Sequence, residues 1–129
     1  MRKNVVNNSA VSSENRSDVC DILQQMGLTP EDKGYDYMVD AICLAIKDPE
    51  RMTQVVKGLY LEVAGHYGIS CNCVERNIRK AVRIIWTKDQ PLLKSIVYGT
   101  LPSCPKPSFF LASVTEYVIV RRMSNQNSD

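Results

Sequence analysis

Between Glu75 and Lys88 the sequence sets Arg76, Arg79, Lys80, Arg83 and Lys88 against one acid, Glu75 itself. The guanidinium fork of arginine matches the major-groove edge of guanine. A carboxylate accepts from the amine of cytosine, and lysine meets phosphate as a point charge. This set of side chains suits double-stranded DNA. Catalysis finds little to use. His66 is the only histidine, and a general base must lie within hydrogen-bond reach of the proton it takes. The sequence places no nucleophile near it, so the chain is not expected to be an enzyme. Cys71 and Cys73 with His66 offer metal-binding atoms, but helical residues two apart do not face each other and a fourth ligand is missing. No metal and no cofactor are expected, and no glycine loop cradles a phosphate.

A single helix over residues 70–86 would carry these groups. Projected at 100° per residue from Val74, the residues Ile78, Ala81, Val82 and Ile85 fall within about 80° of it. Asn72, Arg76, Arg79 and Arg83 fall within about 60° of the opposite pole, with Glu75 and Lys80 on its flanks. Glu75, Arg76 and Arg79 are therefore the candidate base readers. Ser70, which also caps the helix, Asn72, Lys80 and Arg83 are the candidate phosphate contacts. Arg121 and Arg122 have two readings: a DNA contact, with Arg122 the candidate, or a match to the negative end of the last helix. Trp86 reads as helix packing rather than a stacking platform.

A solvated basic face is the ordinary fate of such a helix. What precedes it argues otherwise. Ala64 is a small residue that lets two helices cross closely, Gly68 supplies a turn four residues later, Ile69 plugs the junction, and Val74 packs back. This is helix-turn-helix spacing counted from Tyr60. One position departs: Asn77 stands where an apolar residue is usual, and Ile78 beside it can fill the role.

The rest of the chain must hold this unit in place, and its pattern is helical. Ser17 is expected to cap a first helix ending at Gly27, with Val19, Ile22, Leu23 and Met26 inward. Thr29-Pro30-Glu31-Asp32 reads as the start of a second helix to about Lys47, burying Tyr35, Met38, Val39, Ile42 and Ile46. Pro49 opens a third, carrying Met52, Val55, Val56 and Leu59, with Gly58 or the following residues as a point of interruption. A short helix follows over Pro91 to Tyr98, then a proline-rich loop from Gly99 to Pro107. Ser108 caps a last helix through Arg121, with Phe110, Leu111, Val114 and Val118 inward. The expectation is an all-α, compact bundle of about six helices over residues 17–122, between a flexible arm (1–16) and a flexible tail (123–129).

Composition agrees with one domain. The chain has 129 residues, 44% hydrophobic and 23% charged, with a net charge of +2. A core of this size needs no staple. No apolar run approaches the ~18 residues of a membrane span, and the basic start is not followed by the apolar stretch of a signal peptide. The cytoplasm is the expected compartment. The five cysteines include no C-x-x-C pair and read as reduced thiols. Acids concentrate away from the basic helix, at Asp18, Asp21, Glu31, Asp32, Asp36 and Asp40.

The stretch Tyr60-Leu-Glu-Val-Ala-Gly-His-Tyr-Gly, followed by Val74-Glu-Arg-Asn-Ile-Arg-Lys-Ala-Val-Arg-Ile-Ile-Trp86, resembles the C-terminal effector domain of the sporulation stage-zero response regulator of Firmicutes. Met26-Gly-Leu, Lys33-Gly-Tyr-Asp-Tyr37, Val56-Lys-Gly-Leu-Tyr60, Ser95-Ile-Val-Tyr-Gly99 and Lys106-Pro-Ser-Phe-Phe-Leu-Ala112 match as well, so the likeness covers about Ser17 to Val120. It implies a six-helix domain that binds a short asymmetric box of TGTCGAA type, as a head-to-tail pair of domains. It implies base contacts from Glu75, Arg76 and Arg79, and a phosphate contact from Lys80, where the best-known member has histidine. Where Cys73 stands, the family often has arginine, so one positive charge is missing. RNA polymerase or its sigma factor is a further expected partner. Residues 1–16 are too short for the receiver domain that the family carries. The chain is then an excised piece or a natural stand-alone protein. In the second case an alternative arises: a receiver-less interaction protein that pairs with a full-length regulator through the helices around Pro91 to Val120.

Overall fold

The computed structural model describes residues 15–97 and 103–127, with side chains as far as Ser124. Most of the expected arm, Tyr98 and residues 99–102, the first part of the proline-rich loop, lie outside these residues. Helix α1 covers residues 15–25. It is already formed at residue 15, so Ser17 sits inside it and is not its cap. Val19, Ile22, Leu23 and Met26 are all buried, one stripe at helical spacing. The helix ends as the sequence suggests: Gly27 has φ +98°, and the Leu28 amide donates to the Leu23 carbonyl at 3.0 Å. This closes the orphan carbonyls in a Schellman turn.

Helix α2 spans Tyr35–Lys47, starting later than the Thr29-Pro30 signal predicts. The Asp32 carboxylate accepts from the Thr29 amide at 2.8 Å and from its hydroxyl at 3.3 Å, so these residues close a turn on themselves instead of opening a helix. Gly34 then brings the chain against the middle of another helix. A Cβ at Gly34 would overlap the Asn77 carbonyl, so only glycine permits the approach. From there α2 buries Tyr35, Met38, Val39, Ala41, Ile42, Cys43 and Ala45. Burial on more than one side marks it as the central helix, and Ile46 is half-buried.

The third predicted helix is three pieces. Pro49–Gln54 is a 3-10 helix, Val56–Tyr60 is a single π-helical turn, and α3 follows as Leu61–Tyr67. Arg51 explains the break. Its Nη1 reaches back to donate to the Gly58 carbonyl at 2.7 Å and to Glu62 Oε1 at 2.6 Å. A side chain folded onto the turn in this way favours a local change of helical pitch over a continuous ladder.

Helix α4 is Cys71–Lys88, α5 is Pro91–Ile96, and α6 is Pro107–Asn127. The last helix buries Phe110, Leu111, Val114 and Val118 as expected. It begins one residue before Ser108, and it continues past Arg122 into the stretch expected to be a flexible tail. Helix α2 packs against α3, α4 and α6, and α4 also packs against α3 and α6. No strand occurs among the described residues, so the all-α expectation holds. No helix among the described residues is long and apolar enough to cross a membrane.

Candidate nucleic-acid interface

Gly68 is the pivot. Its φ of 64° and ψ of 37° end α3 in the left-handed region, and the Ile69 amide turns back to the Ala64 carbonyl at 3.1 Å. A Cβ at Gly68 would meet nothing within 4 Å, so glycine is needed for its dihedral alone. Ser70 then caps α4: its Oγ accepts from the Cys73 amide at 3.1 Å, satisfying one of the orphan donors of the first turn. Its own O–H stays free to donate outward. The three residues from Gly68 to Ser70 thus join two helices in a helix-turn-helix. Ala64 is buried on α3 and Val74 on α4, while Ile69 is half-buried between them.

The inner face of α4 consists of Val74, Asn77, Ile78, Ala81, Val82 and Ile85. Asn77 is the unusual member, 5% exposed. Its Nδ2 donates to the Cys73 carbonyl at 2.8 Å, one turn earlier, and lies 3.3 Å from the Cys73 sulfur. This meets the hydrogen-bonding demand that burial would otherwise leave open. Its backbone touches Gly34, so a compact polar residue meets a residue without a side chain. Ile78 is fully buried and takes the apolar role.

The outer face of α4 presents Asn72, Arg76, Arg79, Lys80 and Arg83, all exposed. Glu75 is beside them, its carboxylate 3.3 Å from Arg79 Nη2 one turn on. That pair holds two candidate readers in a shared geometry and cancels the repulsion a lone acid would offer to phosphate. Arg76, Lys80 and Arg83 have no acidic partner among the described residues. Helix and turn therefore bring seven predicted site residues, from Ser70 to Arg83, into one region. Arg122 is placed elsewhere. Its Nη2 lies 2.7 Å from Asp18 Oδ2 on α1, and the pair borders a cleft with Asp21, Ile22, Gln25, Val118 and Arg121.

Some neighbours of the face escaped the sequence reading. Lys106 and Ser108, at the start of α6, share a cleft with Glu75, Arg79 and Tyr60. Tyr60 is 3% exposed, and burial first, then the charge of Glu75, pushes its hydroxyl up to about 12. Cys104 lies near enough to Arg83 to feel its charge, although burial dominates and raises the thiol. The Lys106-Pro107 step could have marked a helix start, but nothing in the sequence tells which helix lies beside it. His66 does not face this surface's cations. Its Nδ1 is 2.6 Å from Asp40 and its Nε2 is 3.7 Å from Glu62.

A helix seated by an apolar face, entered through a glycine turn and lined outside with unmatched cations, is the arrangement by which helix-turn-helix proteins enter the major groove. The family described as Sporulation initiation factor Spo0A C terminal matches residues 19–118. That span contains every helix from α2 to α5 and most of α1. The chain therefore belongs to the Spo0A C-terminal family, the DNA-binding domain of a transcription regulator of sporulation.

Proposed function

We propose that this domain recognises a TGTCGAA-like box by laying α4 in the major groove. Arg76 and Arg79 donate to guanine edges and Glu75 accepts from a cytosine amine. Ser70, Asn72, Lys80 and Arg83 meet phosphates on the groove walls, and Arg122 does so only by giving up Asp18. The observation that carries this reading is the row of exposed Arg76, Lys80 and Arg83 without acidic partners among the described residues, on a helix whose opposite face is fully committed to the core.

The reading extends to two domains placed head to tail on adjacent boxes, and to RNA polymerase or its sigma factor as a neighbour on the promoter. Fluorescence anisotropy on a duplex bearing the box and on a scrambled duplex tests the base readout, and titrating a two-box duplex gives the stoichiometry. Tight, preferential binding of the box supports the reading. Equal affinity for both duplexes overturns it.

A further inference from the structure

The far half of α4 carries more than the box requires. Lys80, Arg83, Thr87 and Lys88 border an open cleft of about 440 Å³ whose remaining lining residue is the half-buried Ile84. The helix has 18 residues, so it is about 27 Å long, more than twice the ~12 Å width of the major groove. Helix-turn-helix docking uses the N-terminal part of the recognition helix for base edges. A helix reading with Glu75, Arg76 and Arg79 has therefore left the groove by its last turn, roughly 13 Å beyond Arg79 at 1.5 Å per residue. At the rim it passes the sugar-phosphate backbone.

Lys88, in that last turn, is anchored at its root. Its stem lies against Gly27, where a Cβ would come within 2.7 Å of Lys88 Cγ and 2.9 Å of its Cβ. The turn that ends α1 thus fixes the root of the side chain and leaves the ammonium group at the surface. Lys88 has no acidic partner among the described residues, and Thr87 beside it is exposed.

We propose that Thr87 and Lys88 form a phosphate-binding step that extends the DNA contact beyond the box, on the flank where α4 leaves the groove; the proposal rests on the docking described above. Thr87 donates its hydroxyl and Lys88 its ammonium to the backbone of that flank, without regard to base sequence. A cation in the last turn also complements the helix dipole, but that role acts on folding and leaves no trace in the salt dependence of binding.

The experiment compares wild type with Lys88→Ala and Lys88→Arg over a salt series. One duplex extends a helical turn beyond the box on each side, and two others end at the box on one side or the other. Each phosphate contact contributes about 0.9 to the slope of log affinity against log salt. Lys88→Ala is expected to lower that slope by about this amount on the long duplex. Between about 50 and 200 mM salt, wild type then loses about three- to fourfold more affinity than the variant. Lys88→Arg keeps the slope, and the difference vanishes on one of the two cut duplexes only. An unchanged slope for Lys88→Ala on the long duplex overturns the proposal, as does a difference that survives both cuts. Failure of base reading shows separately, as equal binding of box and scrambled duplexes by wild type.

Discussion

Arg51, His66 and Arg122 each face a carboxylate, at 2.6, 2.6 and 2.7 Å, whereas Arg76, Lys80 and Arg83 on α4 face none among the described residues. The first group lies where helices meet: Arg51 spans from the 3-10 helix to α3, His66 from α3 to α2, and Arg122 from α6 to α1. The arginine charges are answered by the protein's own acids, the His66 ring nitrogen is held by Asp40, and all three contacts help hold elements together. The second group stands in a row on one helix with its field directed outward. The difference teaches where to look for a ligand. A count of cations does not separate the two groups, since net charge is only +2, but the presence or absence of an internal acid does.

The largest expected effect lies at Tyr60, where the two regions meet. Its ordinary hydroxyl value of 10.0 is raised to about 12, so ionisation belongs to the unfolded chain first. Stability is intact below pH 10 and falls as pH rises from 10 to about 12. At about 1.4 kcal/mol per unit, the loss is about 3 kcal/mol. Cys43, raised by burial from 9.0 to about 11, adds an earlier fall that begins near pH 9. Urea denaturation across this range should show Tyr60→Phe without the later descent and Cys43→Ala without the earlier one. An alkaline profile unchanged in both variants would show that these groups are not its source.

Next in size is Arg76→Ala. It should weaken binding to the box by about 1–3 kcal/mol and relax base preference, with little change in melting temperature. Lys80→Ala should instead weaken box and scrambled duplexes alike. A matched loss of stability in Arg76→Ala would erase the contrast with the paired cations. Arg51→Ala is expected to do the converse, costing about 1–2 kcal/mol of stability by freeing the Gly58 carbonyl and Glu62, with the box still preferred over the scrambled duplex. Thermal melts and anisotropy on the same sample separate the two variants. The smallest effect is that of Asp40→Asn, which removes the partner of His66. Both groups are partly exposed, so the cost is about 0.2–1 kcal/mol. A larger loss would mean that this contact holds α3 far more firmly than an exposed pair does.

Where the sequence reading succeeded, the signal was local. The inward positions of α1, α2 and α6 follow a 3.6-residue period, and Gly27 and Gly68 each end a helix through a dihedral that few other residues adopt. Where it failed, a side-chain contact that composition and period do not encode had intervened. Thr29-Pro30 has the composition of a helix start, but Asp32 folds back on Thr29 and Gly34 is drawn to Asn77. After Pro49 the sequence marks Gly58 or the following residues as a point of interruption, but not the 3-10 and π-helical pieces that form where Arg51 bends onto Gly58 and Glu62. The candidate site shows the same division. Glu75, Arg76, Arg79, Lys80 and Arg83 could be grouped on one face from the sequence because one helix carries them all. Lys106 and the anchoring of Lys88 on Gly27 were missed because each involves a second element.

Helix, turn and outward cations follow from the order of residues alone, because each depends on neighbours within about one turn of chain: period, cap, dihedral. Which cations remain unanswered did not follow from it. That was decided when α1 and α3 brought Asp18 and Glu62 to Arg122 and Arg51, α2 brought Asp40 to His66, and no acid from another described element came to pair with Arg76, Lys80 or Arg83. Coulomb energy depends on distance in space, and only the packed fold assigns those distances.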